Sequence, residues 1–106
     1  MSEILVPSHR RPTTPGAMIR EMYLGDDGLG ITQSVLASRL GITRQRLNEI
    51  LNDRRALTVD TALRLERVLG PSVGFWMNLQ MSVEIYDAMH GAAAKRIAKL
   101  KPLRAA

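Results

Sequence analysis

The stretch that decides the fold is TQSVLASRLGITRQRLNEILN, residues 32–52. It reads as two short helices joined by a tight turn. Thr32 is placed to cap the first helix, because a threonine hydroxyl accepts from the orphan amides of a first turn. Leu36 and Leu40 lie one turn apart on its inward face. Ala37 is small enough to let the two helices cross closely. Gly41 follows just past the helix end, where a left-handed backbone costs glycine little. Ile42 plugs the turn and Thr43 caps the second helix. Leu47, Ile50 and Leu51 form that helix's buried stripe at i, i+3 and i+4. The pattern is a helix-turn-helix.

The face left outward carries Arg44, Gln45, Asn48 and, towards one side, Arg46. Arginine contacts guanine edges bidentately, and glutamine and asparagine contact adenine edges in the same way, in the major groove of duplex DNA. Gln33 and Thr43 are expected to fix the backbone register, with Arg46, Asn52 and Arg55 on flanking phosphates. The plainer reading is a helical hairpin with a solvated polar face. Gln33, Ala37, Gly41, Ile42 and Leu47 all falling into place together favours DNA.

Composition narrows the rest. A chain of 106 residues makes one domain with a modest core. Hydrophobic residues make up 45% but aromatic ones only 4%, so aliphatic side chains and methionine must fill the interior, as in small helical proteins. The absence of cysteine excludes a disulfide framework and a cysteine-based metal site. No apolar run approaches a membrane span. The first residues carry charge and proline rather than a signal-peptide segment, so a cytoplasmic location is expected. The net charge of +5 is deceptive. Residues 95–106 hold five basic side chains and no acid, so residues 1–94 hold ten of each sign. The local count matters more: residues 39–55 carry five arginines against Glu49 and Asp53, which predicts a basic face on the helix-turn-helix.

Around that unit the signals are helical. Residues 1–13, with His9, Arg10 and Arg11, read as a flexible arm. Thr14-Pro15 announces a helix, with threonine as the cap and proline at its first position. Met18, Ile19, Met22 and Tyr23 give it an apolar face. Residues 25–30 form a loop whose Asp26-Asp27-Gly28 lacks the further oxygen ligands of a calcium loop. Thr58 caps a fourth helix with Ala62, Leu65, Val68 and Leu69 inward, and Gly70-Pro71 ends it. Ser72 opens a longer fifth helix. Its core face is expected to be Phe75 and Leu79, continuing to Val83 and Tyr86, with Trp76 beside them. Met77, Met81, Ile85 and Met89 remain for other faces, as suits an adaptable protein–protein surface. Gly91 weakens that helix, and 91–106 reads as a basic tail that Pro102 keeps from forming a long helix. The expected organisation is an arm (1–13), a DNA-binding and dimerisation body (14–90) and a tail (91–106), all-α, with five helices.

No constellation supports catalysis. His9 and His90 are far apart and neither lies in a metal-ligand motif, so no metal and no cofactor is expected. No Ser-His-acid order, glycine-rich phosphate loop or HExxH motif appears. An enzyme is the last-ranked reading, behind a helical adaptor that has lost DNA binding.

Four runs together resemble the HigA-type antitoxin family, whose members are phage-repressor-like helix-turn-helix proteins. They are TPGAMIR (14–20), RQRLNEILN (44–52), RALTVDTALRL (55–65) and FWMNLQ (75–80). The resemblance covers about residues 14–87, and the last run is the most specific. It departs from the family pattern at Ala17, where an acid is usual, in the loop 24–31, and over 81–90. The resemblance implies a five-helix fold and a homodimer on a palindromic operator in double-stranded DNA. It also implies neutralisation of a HigB-type toxin, an mRNA endonuclease, and autorepression of the operon. Family members without a neighbouring toxin are orphan transcriptional regulators, which is the alternative reading.

Overall fold

The computed structural model describes residues 10–26 and 28–104. Within them the chain forms α1 (Pro15–Tyr23), α2 (Gln33–Leu40), α3 (Arg44–Leu51), α4 (Val59–Leu69), α5 (Val73–Met89) and a short α6 (Ala94–Ala98). Each of the first five starts at a hydroxyl. Thr14, Thr32, Thr43, Thr58 and Ser72 are all extended, and each accepts from the amide three residues on, at 3.0–3.3 Å. These bonds satisfy donors that a helix start otherwise leaves orphaned. The boundaries are thus set locally, at the residues the sequence singles out. No strand occurs among the described residues, only an isolated bridge between Leu24 and Ile31 closing the α1–α2 loop.

The core gathers at the crossing of these helices. Helix α1 packs on α3 and α5, α2 on α3 and α4, and α4 on α5. Ile19, Leu36, Leu47, Leu51, Leu65 and Trp76 are essentially inaccessible. Ala37 is buried at the α2–α3 crossing, as its size predicts. A second close approach escaped the sequence reading. A Cβ on Gly16 would run into the carbonyl oxygen of Ile50 and come within 2.9 Å of that of Leu51. Glycine at the start of α1 is what lets α1 lie against the end of α3. Gly41 ends α2 at φ +71°, ψ +31°, the left-handed cap expected of it.

Helix α5 is rotated from expectation. Trp76 is fully buried and Val83 nearly so, while Phe75 is 37% exposed and meets the Trp76 ring edge-on at 5.1 Å. Leu79 and Tyr86 are only half-buried. The inward face therefore centres on Val73, Trp76, Gln80 and Val83, with Leu79 packed at its edge as expected and Phe75 turned outward. Gln80 and Asp87 explain the shift. Gln80 Oε1 accepts from the Leu57 amide at 2.9 Å, and Asp87 takes the Arg11 guanidinium through two bonds of 2.9 and 3.0 Å. Gln80 is a polar position beside the core, which disguises that side of the helix, while Asp87 is exposed at its far end.

The ends also differ from expectation in part. Arg11, counted in the arm, is tied to α5 through Asp87. The remainder of the arm up to His9 lies outside the described residues. The tail contains α6, a helical turn that follows the α5 end at His90 and the break at Gly91. No helix of the described residues is long and apolar enough to cross a membrane.

Candidate nucleic-acid interface

Helix α3 is eight residues with two unlike faces. Leu47, Ile50 and Leu51 are buried against α1 and α2, which fixes its rotation. Arg44, Gln45 and Asn48 are consequently exposed on the opposite side. Arg44 and Gln45 bond to no described residue, so their donors and acceptors are free. Asn48 is half committed: its Oδ1 accepts from Asn52 Nδ2 at 3.2 Å, leaving its own amide protons outward. The Asn52 amide also donates to the Asn48 carbonyl at 2.9 Å, so Asn52 closes the C-terminal end of α3. Asp53 follows at φ +59°, and the Arg54 amide reaches back to the Glu49 carbonyl at 2.8 Å. That left-handed turn ends the helix and throws the 54–56 loop beside it.

The expected flanking contacts divide. Gln33 opens α2 half-buried, next to its cap Thr32. Thr43 accepts from the Arg46 amide at 3.0 Å, which leaves its hydroxyl proton free to donate outward. Arg55 is half exposed and paired with Glu49 at 2.8 Å. Arg46 turns away from the reading face. Its Nη2 donates to the Thr61 hydroxyl and, at 3.4 Å, to Asp60 on α4, and its Nε is buried with no partner among the described residues. Of the five arginines in 39–55, then, Arg39, Arg44 and Arg54 are the ones without a carboxylate partner among the described residues. The free positive charge is narrower than the count suggested, and two of its members, Arg44 and Arg54, bracket α3.

Arg64 is the residue that sequence reasoning missed. Its Nε pairs with Asp60 at 2.9 Å, and its Nη1 donates to the carbonyls of Leu40 and Gly41 at 2.9 and 3.3 Å. The Arg64 hydrogen bond, followed by the charge of Arg64 and the bond from Arg46, holds the Asp60 carboxyl below its ordinary range. The one available signal was the Asp60/Arg64 spacing of i, i+4.

Comparison with known proteins bears on what this face is for. A helix-turn-helix family model matches residues 27–75. The chain is 37% identical over 78 residues to the uncharacterized HTH-type transcriptional regulator YbaQ of Escherichia coli K12, covering 74% of this chain and 67% of that one. Over a like span of 78 residues it is 33% identical to antitoxin HigA-1 of Vibrio cholerae, covering 74% of this chain and 71% of that one.

The chain belongs to the HigA-type helix-turn-helix family. Among solved structures, Pseudomonas aeruginosa antitoxin HigA with the higBA promoter has a TM-score of 0.78 to it. The two are 33% identical, over 89% of this chain and 100% of that one. The family is one of DNA-binding antitoxins and transcriptional regulators, not of enzymes. The HigA-type fold is therefore the frame in which α2 and α3 present Gln33, Thr43, Arg44, Gln45 and Asn48.

Proposed function

We propose that the chain is a homodimeric operator-binding repressor that also neutralises a HigB-type toxin and represses its own operon. The observation that carries the DNA reading is the outward face of α3. Arg44, Gln45 and Asn48 stand exposed over a buried apolar stripe, Arg44 and Gln45 bonded to no described residue and Asn48 with its amide protons unspent. Arg44, Gln45 and Asn48 read base edges. Gln33 and Thr43 set the register on the backbone, and Asn52 and Arg55 lie toward flanking phosphates. Phosphate contacts supply affinity without sequence preference and base edges supply the choice of site. One such helix reads few bases. A dimer doubles the reading with half-sites about 34–36 Å apart.

The body 14–90 carries both functions in this reading. Residues 1–13 and 91–106 act as its arm and tail. The dimer surface lies on the outer side of α5, where Met81 and Met89 are exposed and Ile85 half-exposed. Toxin neutralisation is supported by the likeness to antitoxins. The likeness to YbaQ, named a transcriptional regulator, supports the second reading, a regulator without a toxin.

The test is titration of the DNA upstream of the chain's own gene. Gln45→Ala is expected to weaken binding at the cognate site by about 1–3 kcal/mol, the worth of one bidentate base contact. The triple variant Arg44→Ala, Gln45→Ala, Asn48→Ala is expected to bind that DNA no better than random duplex. Unchanged affinity of the triple variant would sink the reading. Expression of the adjacent gene product separates the two readings: an antitoxin restores growth that this product arrests, and a lone regulator does not.

A further inference from the structure

We propose that Arg46, Asp60, Thr61 and Arg64 form a strut that sets α3 against α2, and that Arg46 and Asp60 are positioning residues for operator binding rather than phosphate contacts. The inference rests on the reading of α3 as the helix that meets DNA.

The strut is continuous. Its first end is the C-terminus of α2, where Arg64 Nη1 donates to the carbonyls of Leu40 and Gly41. Arg64 Nε passes to Asp60 Oδ2, and the same oxygen receives Arg46 Nη2. Arg46 lies in the first turn of α3, with its own amide on the Thr43 cap, and its Nη2 donates also to Thr61. The two ends therefore stand on either side of the turn at Gly41–Thr43. That turn is the hinge about which α3 could tilt relative to α2.

Three features distinguish a strut from an exposed ion pair. Thr61 is buried, at 2% exposure, so one anchor is fixed in the core. The Arg46 Nε is stripped of water without gaining a partner, which a loosely held surface arginine avoids. A guanidinium is a rigid planar fork, so two bonds from one arginine fix direction as well as distance. With Nη2 spent on Thr61 and Asp60 and Nε buried, Arg46 keeps only Nη1 for any outside group.

The two roles separate in salt. An arginine on a phosphate releases counterions, and its removal reduces the slope of log affinity against log salt by about 0.9. A strut residue changes affinity without changing the slope. The probe is a duplex selected by the wild-type chain from a random pool, titrated from low to moderate salt with Arg46→Met, Asp60→Asn, their double variant and Arg44→Ala. Arg46→Met and Asp60→Asn are each expected to weaken binding about ten-fold, as for loss of one hydrogen bond to a charged group, with the slope unchanged. The double variant should be no weaker than the worse single, because both break one linkage. Arg46→Lys, which keeps the charge on Asp60, should recover part of the loss.

A second readout needs no DNA. In the free chain, amide spectra of Asp60→Asn should move at Gly41, Ile42 and Thr43 as well as in α4, with the melting temperature lowered only slightly, as for loss of exposed ion pairs. A flattened slope for Arg46→Met, multiplicative losses in the double variant, or spectral changes confined to α4 would each overturn the strut. A wild-type chain that selects no duplex overturns the DNA reading instead, and the spectra alone then decide the strut.

Discussion

Gly16 is the residue on which the angle of the first helix depends. The Ile50 carbonyl occupies the space where a side chain would start, and it is backbone, so it cannot rotate aside. Gly16→Ala should therefore overpack the α1–α3 contact and cost about 1–3 kcal/mol. Urea denaturation measures it, and an alanine variant as stable as wild type would show that α1 can slide outward freely. This residue was not legible in the sequence, whereas Gly41 was. Gly41 obeys a local rule, glycine just past a helix end, and the five hydroxyl caps obey another. Gly16 answers to carbonyls more than thirty positions away. Arg46 and Arg64 belong with Gly16: their partners lie 15 and 24 positions off in sequence. A polar α3 residue looks the same on paper whether it faces DNA or α4.

Among the elements, α5 carries the largest single investment in the core. Trp76 is fully buried, and its indole N–H has no partner among the described residues. Gln80, one turn on, holds the buried Leu57 through its amide. Gln80→Ala is expected to leave the Leu57 backbone N–H without an acceptor and to cost about 1–3 kcal/mol. In a Glu84→Gln background, which avoids setting two carboxylates together, Gln80→Glu keeps an acceptor and should cost less. The pair of melting curves checks it, and equal losses for the two variants would assign the effect to packing instead. The same glutamine explains why α5 was read on the wrong face. A search for spaced apolar residues discards a helix side that contains Gln80 and Asp87, yet Gln80 is half-buried because it holds Leu57, and Asp87, exposed, ties down Arg11. The faces of α2 and α3 agree with the periodicity, and in α4 Ala62 and Leu65 are buried and Leu69 half-buried as expected, whereas Val68 is exposed.

At the scale of the molecule, electrostatics predicts two behaviours. Asp60 is held below its ordinary pKa by Arg64 and Arg46, and Asp87 by Arg11. Both fold in the charged form, so the stability they contribute is complete above the ordinary aspartate pKa. It is lost as pH falls through the lowered values. Denaturation midpoints should thus hold steady down to about pH 4 and drop below it. The double variant Asp60→Asn, Asp87→Asn should start lower and fall less in the same window. An equal acid fall in wild type and variant would place the loss on other carboxylates. The second behaviour concerns the tail. Lys95, Arg96, Lys99, Lys101 and Arg104 are all exposed, while residues 1–94 are formally neutral. Deleting residues 95–106 is expected to flatten the salt dependence of DNA affinity by about 0.9 per lost phosphate contact. The ratio of cognate to random DNA at one salt should hardly change. An unaltered slope would show that the tail touches no DNA.

Helix α3 begins at its own cap, Thr43, and is turned inward by Leu47, Ile50 and Leu51. None of those four positions is a proposed base reader, and of the base readers only Asn48 touches the fold, through one exposed bond from Asn52. The two sets of letters are interleaved in one helix yet answer to separate demands. Lineages descending from such a chain are free to rewrite positions 44, 45 and 48 and so change allegiance from one promoter to another without first surviving an unstable ancestor. Position 46 lacks that freedom, because its spelling is dictated from α4. A family built this way diversifies its targets faster than its architecture.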